Sequence, residues 1–296
     1  MMKMPIFLIS AVLGAAPVAA ASLPPAVAAM IDAAAAKPDQ LRIVAEIARK
    51  TNPGATAEID ARVAMHNRAQ AASHELKLAT QGVLEGWSGS GEVGGFAASG
   101  NTDNRGVAIG VNVAKVTREW KHSLRGQVDY QEDQGVKSRE RYFAGYEGNY
   151  SITPDAYALQ TIAYERDVFS GFSRRFAQSL GLGYKLINRS NISLALEGGA
   201  ALRQTLYTSG INSNVFAARG GLNGKWLINK TLTLSQNATV YDDSSNMSVF
   251  SLTAVTAKVT GAMSARMSFQ LNSESNPPPG LERVDTTSRV TLVYSF

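Results

Sequence analysis

Three histidines are the side chains of this sequence best suited to metal binding or proton transfer. His66 and His74 are eight residues apart in a stretch of helical pattern, so they share one helix face about two turns apart. No third ligand accompanies them, although protein zinc sites use at least three protein ligands. The absence of cysteine also excludes thiolate ligands, disulfides and a catalytic thiol. We therefore predict no metal site and no cofactor.

His122 is the only histidine in a strand-like segment, where a histidine could activate a serine nucleophile. Side chains of equal parity share one face of a strand, and His122 has the parity of Trp120 and Leu124, not that of Ser123. A serine would have to come from a neighbouring strand, and no motif indicates one. We therefore predict that the protein is not an enzyme.

Two glycine-containing patterns indicate backbone packing or loops more than ligand sites. The run GNTDN at residues 100–104 carries oxygen side chains but lacks the spacing and the closing glutamate of a calcium loop, so a tight hairpin loop is preferred. Glycine pairs such as Gly198-Gly199 fall in mid-strand, where glycine marks a bend, a bulge or the close approach of another backbone.

Charge is sparse and evenly scattered along the chain. The sequence has 18% charged residues and a formal net charge of +5, and its positive residues form no basic block. A nucleic-acid partner is therefore not expected.

The N-terminal residues 1–21 have the pattern of a cleavable secretory signal. Lys3 supplies the positive region, residues 6–13 the short apolar stretch, and Ala19 to Ala21 the small-residue cleavage site. The apolar stretch is shorter than the ~20 residues of a spanning helix. We expect the protein to be exported.

Residues 22–85 form an alanine-rich segment with helical periodicity. One helix is predicted over residues 38–50 and a second over about residues 55–80, separated by the breaker Asn52-Pro53-Gly54. Neither helix has enough apolar surface to form a core alone. We expect the segment to lie in the periplasm, either docked on another element or loosely ordered.

From residue 86 to residue 296 the period of the pattern changes from 3.6 to 2. About twelve segments of ten or more residues follow, separated by turn residues. In residues 176–186 the even positions carry Leu180, Leu182 and Tyr184, whereas the odd positions carry small or polar residues such as Ser179 and Lys185. One face of each strand is therefore apolar and the other polar or small.

Strand length, loop lengths and aromatic positions favour an outer-membrane barrel over a soluble sandwich. The segments reach the ~9–11 residues that a tilted spanning strand needs. Tight turns near Arg118, residues 188–189, residues 229–230 and Gly261 alternate with longer polar loops, predicted at residues 132–140, 207–214 and 273–285. Aromatic residues near strand ends suit the two interfacial girdles: Trp87, Trp120, Tyr130, Tyr142, Tyr150, Tyr184, Trp226, Tyr241 and Tyr294.

We therefore predict an all-β fold, a closed antiparallel transmembrane barrel of about twelve strands. Closure is required because lipid offers no partner to the hydrogen-bonding groups of a free sheet edge. The partners expected are outer-membrane lipid and, through the aromatic final strand with Tyr294 and Phe296, the barrel-assembly machinery.

The barrel segment resembles the family of salt-induced outer-membrane proteins built on a domain of unknown function. The likeness rests on GGFAASGNTDNRG at residues 94–106, YERDVFSGFSRR at 164–175, GLGYKL at 181–186 and the terminal LVYSF at 292–296. It covers residues 87–296 and leaves out the helical segment. The resemblance implies an outer-membrane barrel and no particular activity.

Charged side chains on the polar parity are the candidate functional residues, since they would face the lumen. Eight are positive and three negative, which predicts a basic lumen. Either these charges pair and close the interior, or they line a narrow path that favours small anions. The predicted lumen-facing charges are Arg125, Asp129, Arg141, Glu147, Lys185, Glu197, Arg203, Arg219, Lys225, Arg266 and Arg289.

Three functions are compatible with this pattern. The leading one is a structural or transport barrel, a narrow pore for small solutes or ions. The second is an enzyme like outer-membrane phospholipase, with His122 on the outer wall. The third is a translocator barrel with a helix in its lumen, although only about sixty residues precede the barrel after the signal segment.

Overall fold

The computed structural model describes residues 22–99, 104–133 and 136–296. The predicted signal segment and residues 100–103 of the GNTDN run lie outside the described residues. The described chain divides into two compact units, with the division after Lys77. No helix in the described part is long and apolar enough to cross a membrane.

The N-terminal unit is helical and has a core of its own. Its helices are α1 (Pro25–Ala34), α2 (Pro38–Thr51) and α3 (Thr56–Thr80), with a 3₁₀ turn at Pro53–Ala55. The two predicted helices are present, and both dock with α1, which the sequence pattern did not reveal. Ile31, Leu41 and Ile59 are fully buried between the three helices.

A polar cluster joins α1 to α3 in this unit. Asp32 accepts hydrogen bonds from Nε of Arg62 and from Nε2 of His66, each at 2.7 Å. These hydrogen bonds, first that of Arg62 and then that of His66, hold the pKa of Asp32 well below its ordinary value. His66 is therefore the partner of a carboxylate on α1, and the described residues contain no cluster suited to a metal ion.

The second unit is a closed antiparallel barrel of twelve strands, which confirms the predicted fold class. Each strand pairs with its neighbours in sequence, and β1 pairs with β12 to close the sheet. The strands are β1 (Trp87–Ser99), β2 (Asn104–Val116), β3 (Trp120–Asp133), β4 (Val136–Ser151), β5 (Ala156–Asp167), β6 (Phe172–Asn188), β7 (Ile192–Tyr207), β8 (Asn212–Leu227), β9 (Leu232–Asp242), β10 (Met247–Lys258), β11 (Met263–Glu274) and β12 (Val284–Ser295).

The two faces of the strands are oriented as the alternation predicted. In β6, Leu180 and Leu182 are 66% and 63% exposed on the outer wall, whereas Ala177 and Ser179 are buried on the inner face. The same parity holds in β12, where Val293 is the apolar residue among polar inner side chains.

Close backbone packing explains the mid-strand glycines of β6 and β7. Gly181 pairs with Gly199, and a Cβ atom on Gly199 would lie 2.2 Å from the carbonyl oxygen of Leu180. No side chain fits in that space. Gly199 therefore marks the close approach of another backbone, one of the three possibilities that the sequence left open, whereas a Cβ atom on Gly198 would meet no atom within 4 Å.

The loops differ from the prediction at two positions. The connection predicted at residues 207–214 is shorter, because β7 ends at Tyr207 and β8 begins at Asn212. The predicted loop at residues 132–140 is wrong, because β3 continues to Asp133 and β4 begins at Val136. Period-2 alternation is obscured there by a bulge at Gln131 and Glu132. The longest connection described in the barrel follows β11 at residues 275–283 and contains three consecutive prolines.

Candidate functional site

The barrel encloses a cavity of about 420 Å³ whose lining side chains are mostly polar. It extends from Pro277 in the β11–β12 loop to Ser90 and Ser235, near the short-turn ends of β1 and β9. All residues that line it belong to the barrel unit. This cavity is the candidate site, and the charges on its wall decide what it can accept.

One ion cluster joins β12 to strands β3, β4 and β5. Asp129 binds Nη2 of Arg289 at 2.7 Å and lies 3.7 Å from Nη1 of Arg141. Arg141 in turn contacts Glu165 at 2.6 Å and Asp167 at 4.0 Å. All five side chains are buried or half-buried on the inner face, so their charges compensate one another within the wall.

A second cluster surrounds Glu197 of β7. Its carboxylate accepts hydrogen bonds from the Tyr157 hydroxyl at 2.9 Å, from Nη1 of Arg219 at 3.0 Å and from Nδ2 of Asn223 at 2.8 Å. Tyr157 crosses the inner face of Gly183, where an added Cβ atom would lie 2.1 Å from its ring. The predicted residues Glu197 and Arg219 are therefore brought together as a buried pair.

Arg266 of β11 pairs across the barrel seam with a carboxylate that the sequence analysis missed. Its Nη1 lies 3.0 Å from Oε2 of Glu92, and its Nε donates to the Thr256 hydroxyl at 3.2 Å. Glu92 stands in the glycine-rich β1, whose weak alternation hid its inward parity. The charge of Arg266 is thereby balanced.

The mouth of the cavity at the long-loop end is crossed by the β11–β12 loop. Leu281 packs on the β5–β6 turn, because a Cβ atom on Gly171 would lie only 2.4 Å from its Cδ1 atom. Beneath this loop, Arg175 of β6 forms an ion pair with Glu274 of β11 at 2.8 Å. Strands β6 and β11 lie on opposite sides of the barrel, so this ion pair bridges the lumen.

Arg125 differs from the arginines in these clusters. It is exposed although it lines the cavity, and it makes no hydrogen bond or ion pair within the described part of the chain. Glu147 accepts a hydrogen bond from Asn149. Lys185 and Lys225 lie outside the cavity lining, towards the short-turn end, where Lys185 donates to the carbonyl oxygen of Pro154 at 2.9 Å and Lys225 is exposed.

The expected excess of positive charge is largely offset by acidic groups that the sequence analysis omitted. Each contacts an arginine of the inner wall, so the lumen wall is close to balanced. The omission has a physical cause, because most of these groups stand at strand ends, where parity is hard to assign. The additional acids are Glu92, Glu165, Asp167, Asp243 and Glu274.

Aromatic side chains occupy the outer wall, with one correction to the predicted set. Tyr241 faces the lumen instead of the lipid interface, because its ring lies 5.1 Å from the guanidinium carbon of Arg203. His122 lies on the outer wall between the rings of Trp120 and Tyr146, and its Nδ1 bonds the Tyr146 hydroxyl at 2.9 Å. Its observed partner is thus a tyrosine.

Comparison with known proteins gives the same fold. The family described as "Protein of unknown function, DUF481" matches residues 91–296. The Escherichia coli K12 protein YdiY, itself uncharacterized, is 21% identical over 211 residues, which are 70% of this chain and 82% of YdiY. The family match includes the runs on which the resemblance was based, and the two matches confirm it.

Solved outer-membrane barrels show the same architecture. The NanC porin superimposes with a TM-score of 0.50 at 10% identity, over 70% of this chain and all of that chain. The translocator domain of the autotransporter NalP from Neisseria meningitidis gives 0.45 at 10% identity, over 81% of this chain and 98% of that chain. At 10% identity the likeness to the NanC porin shows the barrel fold alone.

Proposed function

The chain belongs to the DUF481 family, and we propose that its outer-membrane barrel is a narrow diffusion channel for small polar solutes, with a modest preference for anions. The observation that carries this proposal is the polar cavity inside the closed barrel, in which the Arg125 guanidinium is exposed. A cavity of about 420 Å³ suits solutes the size of ions or single sugar rings, not folded chains.

The anion preference follows from which charges are free. Arg289, Arg219 and Arg266 each contact a carboxylate, so their fields largely cancel at the centre of the lumen. Arg125 forms no ion pair within the described part of the chain, and its charge is opposed at longer range by Glu147 and Glu92, in a lumen where screening by water is weaker than at the surface. The preference for anions is therefore expected to be smaller than the sequence count implied.

The two alternatives have less support. A lipid hydrolase would need a nucleophile beside His122, whereas that ring bonds Tyr146. The translocator alternative has only the strand number of the barrel in its favour.

Assembly of the barrel is proposed to use the final strand. The backbone of Phe296 exchanges two hydrogen bonds with Gly89 of β1, while its ring and that of Tyr294 are exposed. These two aromatic side chains are the groups we propose the barrel-assembly machinery contacts.

Planar-bilayer recording of the purified protein tests the channel. We expect discrete small conductance steps and, in asymmetric potassium chloride, a reversal potential whose sign reports preference for chloride. Heat-unfolded protein is the control and should give no steps. Absence of steps from the folded protein would reject the channel, and a potassium preference would reject the anion assignment.

A further inference from the structure

A buried arginine beneath the β11–β12 loop makes no hydrogen bond within the described part of the chain. Arg203 is 5% exposed, its nearest carboxylate oxygen is 3.8 Å away on Asp243, and its Nε has no partner. A guanidinium carries five N–H donors, and buried donors are almost always satisfied. Arg203 therefore has N–H donors available to a ligand in the cavity that it lines.

A second arginine stands beside it on the inner face. In the paired strands β6 and β7, Ala177 is opposite Arg203 and Arg175 is opposite Thr205, so the two arginines are diagonal neighbours. Arg175 donates through Nη1 to Glu274 and stacks on Phe172, 4.1 Å from its ring centroid, while its Nε has no partner. Two guanidinium groups thus present unused N–H donors to one space.

The two carboxylates nearest these arginines already accept from other donors, although Oδ2 of Asp243 faces Nη1 of Arg203 at 3.8 Å. Glu274 accepts from the Ser248 hydroxyl and from Nδ2 of Asn246 in addition to Arg175. Oδ1 of Asp243 accepts from the backbone and the hydroxyl of Ser245. The N–H groups of Arg175 and Arg203 that have no acceptor are therefore available to one further acceptor group.

Apolar surfaces complete the walls of this space. The rings of Phe172, Tyr207 and Tyr241 line the same cavity, together with Pro278 and Leu281 of the loop above. Flat apolar walls favour a ring-shaped ligand body. The guanidinium donors and the apolar walls together thus specify a ligand with one acceptor group and a compact body.

We propose that the space between Arg175, Arg203 and the aromatic side chains binds a small carboxylate with a single-ring body. The two carboxylate oxygens accept from the guanidinium N–H groups, which is the preferred geometry of that pair, and the ring packs on Tyr207 and Tyr241. This proposal rests on the channel function. It adds that the solutes bound at the loop-covered mouth are carboxylated ring compounds.

Calorimetric titration of the purified folded protein in detergent tests this site without recording current. The probes are benzoate and glucuronate, which share a carboxylate and a ring, and acetate, which lacks the ring. We expect at least one ring acid to bind and acetate to bind at least tenfold more weakly. Binding of benzoate alone would assign an aromatic acid, and binding of glucuronate alone a sugar acid.

Two variants locate the binding. Arg203→Gln is expected to weaken binding of the ring acid about tenfold or more, since it removes a charged hydrogen-bonding group. Lys225→Gln, which changes a charge outside the cavity lining, is expected to stay within about twofold. Arg203→Lys keeps the charge and the fold and loses only the paired donors. It therefore tests whether Arg203 binds the ring acid if Arg203→Gln fails to fold.

The outcomes separate this inference from the channel itself. If neither ring acid binds, or if the Arg203 variants bind as wild type does, the site is rejected whatever the conductance. If the ring acid binds and Arg203→Lys weakens it, the site stands even when bilayer recording shows no current, and only the transport role is lost.

Discussion

Arg289 of β12 and Asp129 of β3 form an ion pair at 2.7 Å across the inner faces of two intervening strands, β1 and β2. The Arg289 side chain can extend to Asp129 because the inner face between them carries small residues, among them Gly94, Gly106 and Ala108. The pair ties the closing strand of the barrel to the third strand. The backbone pairing of β1 with β12 is thereby reinforced by a side-chain bridge.

Removing Asp129 should therefore destabilise the barrel strongly. Asp129→Asn leaves Arg289 and Arg141 buried beside a neutral group, and loss of one partner from a buried ion pair costs about 3–5 kcal/mol. The free energy of unfolding in urea, measured on protein in lipid vesicles, should fall by about this amount. Asp242→Asn changes an exposed carboxylate at the end of β9 and should cost less than about 0.5 kcal/mol. Equal stability of the two variants would contradict the role of the bridge.

The close packing of β6 on β7 makes a second prediction. An alanine methyl at Gly199 would lie 2.2 Å from the Leu180 carbonyl oxygen, whereas one at Gly220 meets no atom within 4 Å. We expect Gly199→Ala to reduce the folded, heat-modifiable fraction after refolding and Gly220→Ala to leave it unchanged. Gel mobility of unheated samples measures that fraction. Similar yields from both variants would mean that the two strands can separate at little cost.

The outer and inner walls should differ in their tolerance of charge. Leu182 faces lipid near the middle of β6, where an arginine costs about 2–4 kcal/mol. Asn237 lines the cavity, so an arginine there remains in a polar space. Leu182→Arg should lower the refolded fraction in vesicles well below that of Asn237→Arg. If the lumen variant is impaired as much as the lipid-facing variant, the outer wall is not in contact with lipid.

The face assignment and the strand count could be read from the sequence because lipid imposes a simple rule on alternate positions. Leu180 and Leu182 must be apolar, and turn residues must separate spans of sufficient length. The pairing of charges obeys no such local rule. Arg289 meets Asp129, 160 positions away in the chain, only because barrel closure brings β12 near β3. Parity therefore gave each predicted charge an orientation but could not show which of them are neutralised.

The same distinction explains the misassigned residues. Tyr241 was placed in an interfacial girdle because tyrosines near strand ends usually lie there, yet its parity in β9 points it at Arg203. Arg175 was omitted because it follows the β5–β6 turn, where the alternation restarts. Both belong to the carboxylate site, which depends on the β11–β12 loop reaching Gly171. Loop conformation of that kind is not encoded in a periodic pattern.

Acid should loosen the helical unit through Asp32. Its pKa in the folded state is lowered, so its contribution to stability is complete above the ordinary aspartate pKa of about 3.9 and is lost as the pH falls below it. Hydrogen-exchange protection factors of α1 in the intact protein should decrease between about pH 5 and pH 3. Asp32→Asn should lower them at pH 5 and flatten the pH dependence, whereas Asp39→Asn, at an exposed position of α2, should behave as wild type does. A pH response unchanged in Asp32→Asn would assign it to another group.

Arg125 should set the ionic preference of the channel. It lines the cavity and forms no ion pair in the described chain, with Glu147 and Glu92 acting on it at longer range, whereas Arg203 and Arg219 stand beside Asp243 and Glu197. Reversing either of the latter would bury like charges together and disturb the wall, so Arg125→Glu is the cleaner substitution. We expect it to move the reversal potential in asymmetric potassium chloride towards the potassium equilibrium potential, because two units of charge change in a weakly screened lumen.

The matched reversal, Lys225→Glu, lies outside the cavity lining and should produce a much smaller shift. Equal shifts from the two variants would show that the potential at the barrel end, and not a fixed charge within the cavity, selects the ion.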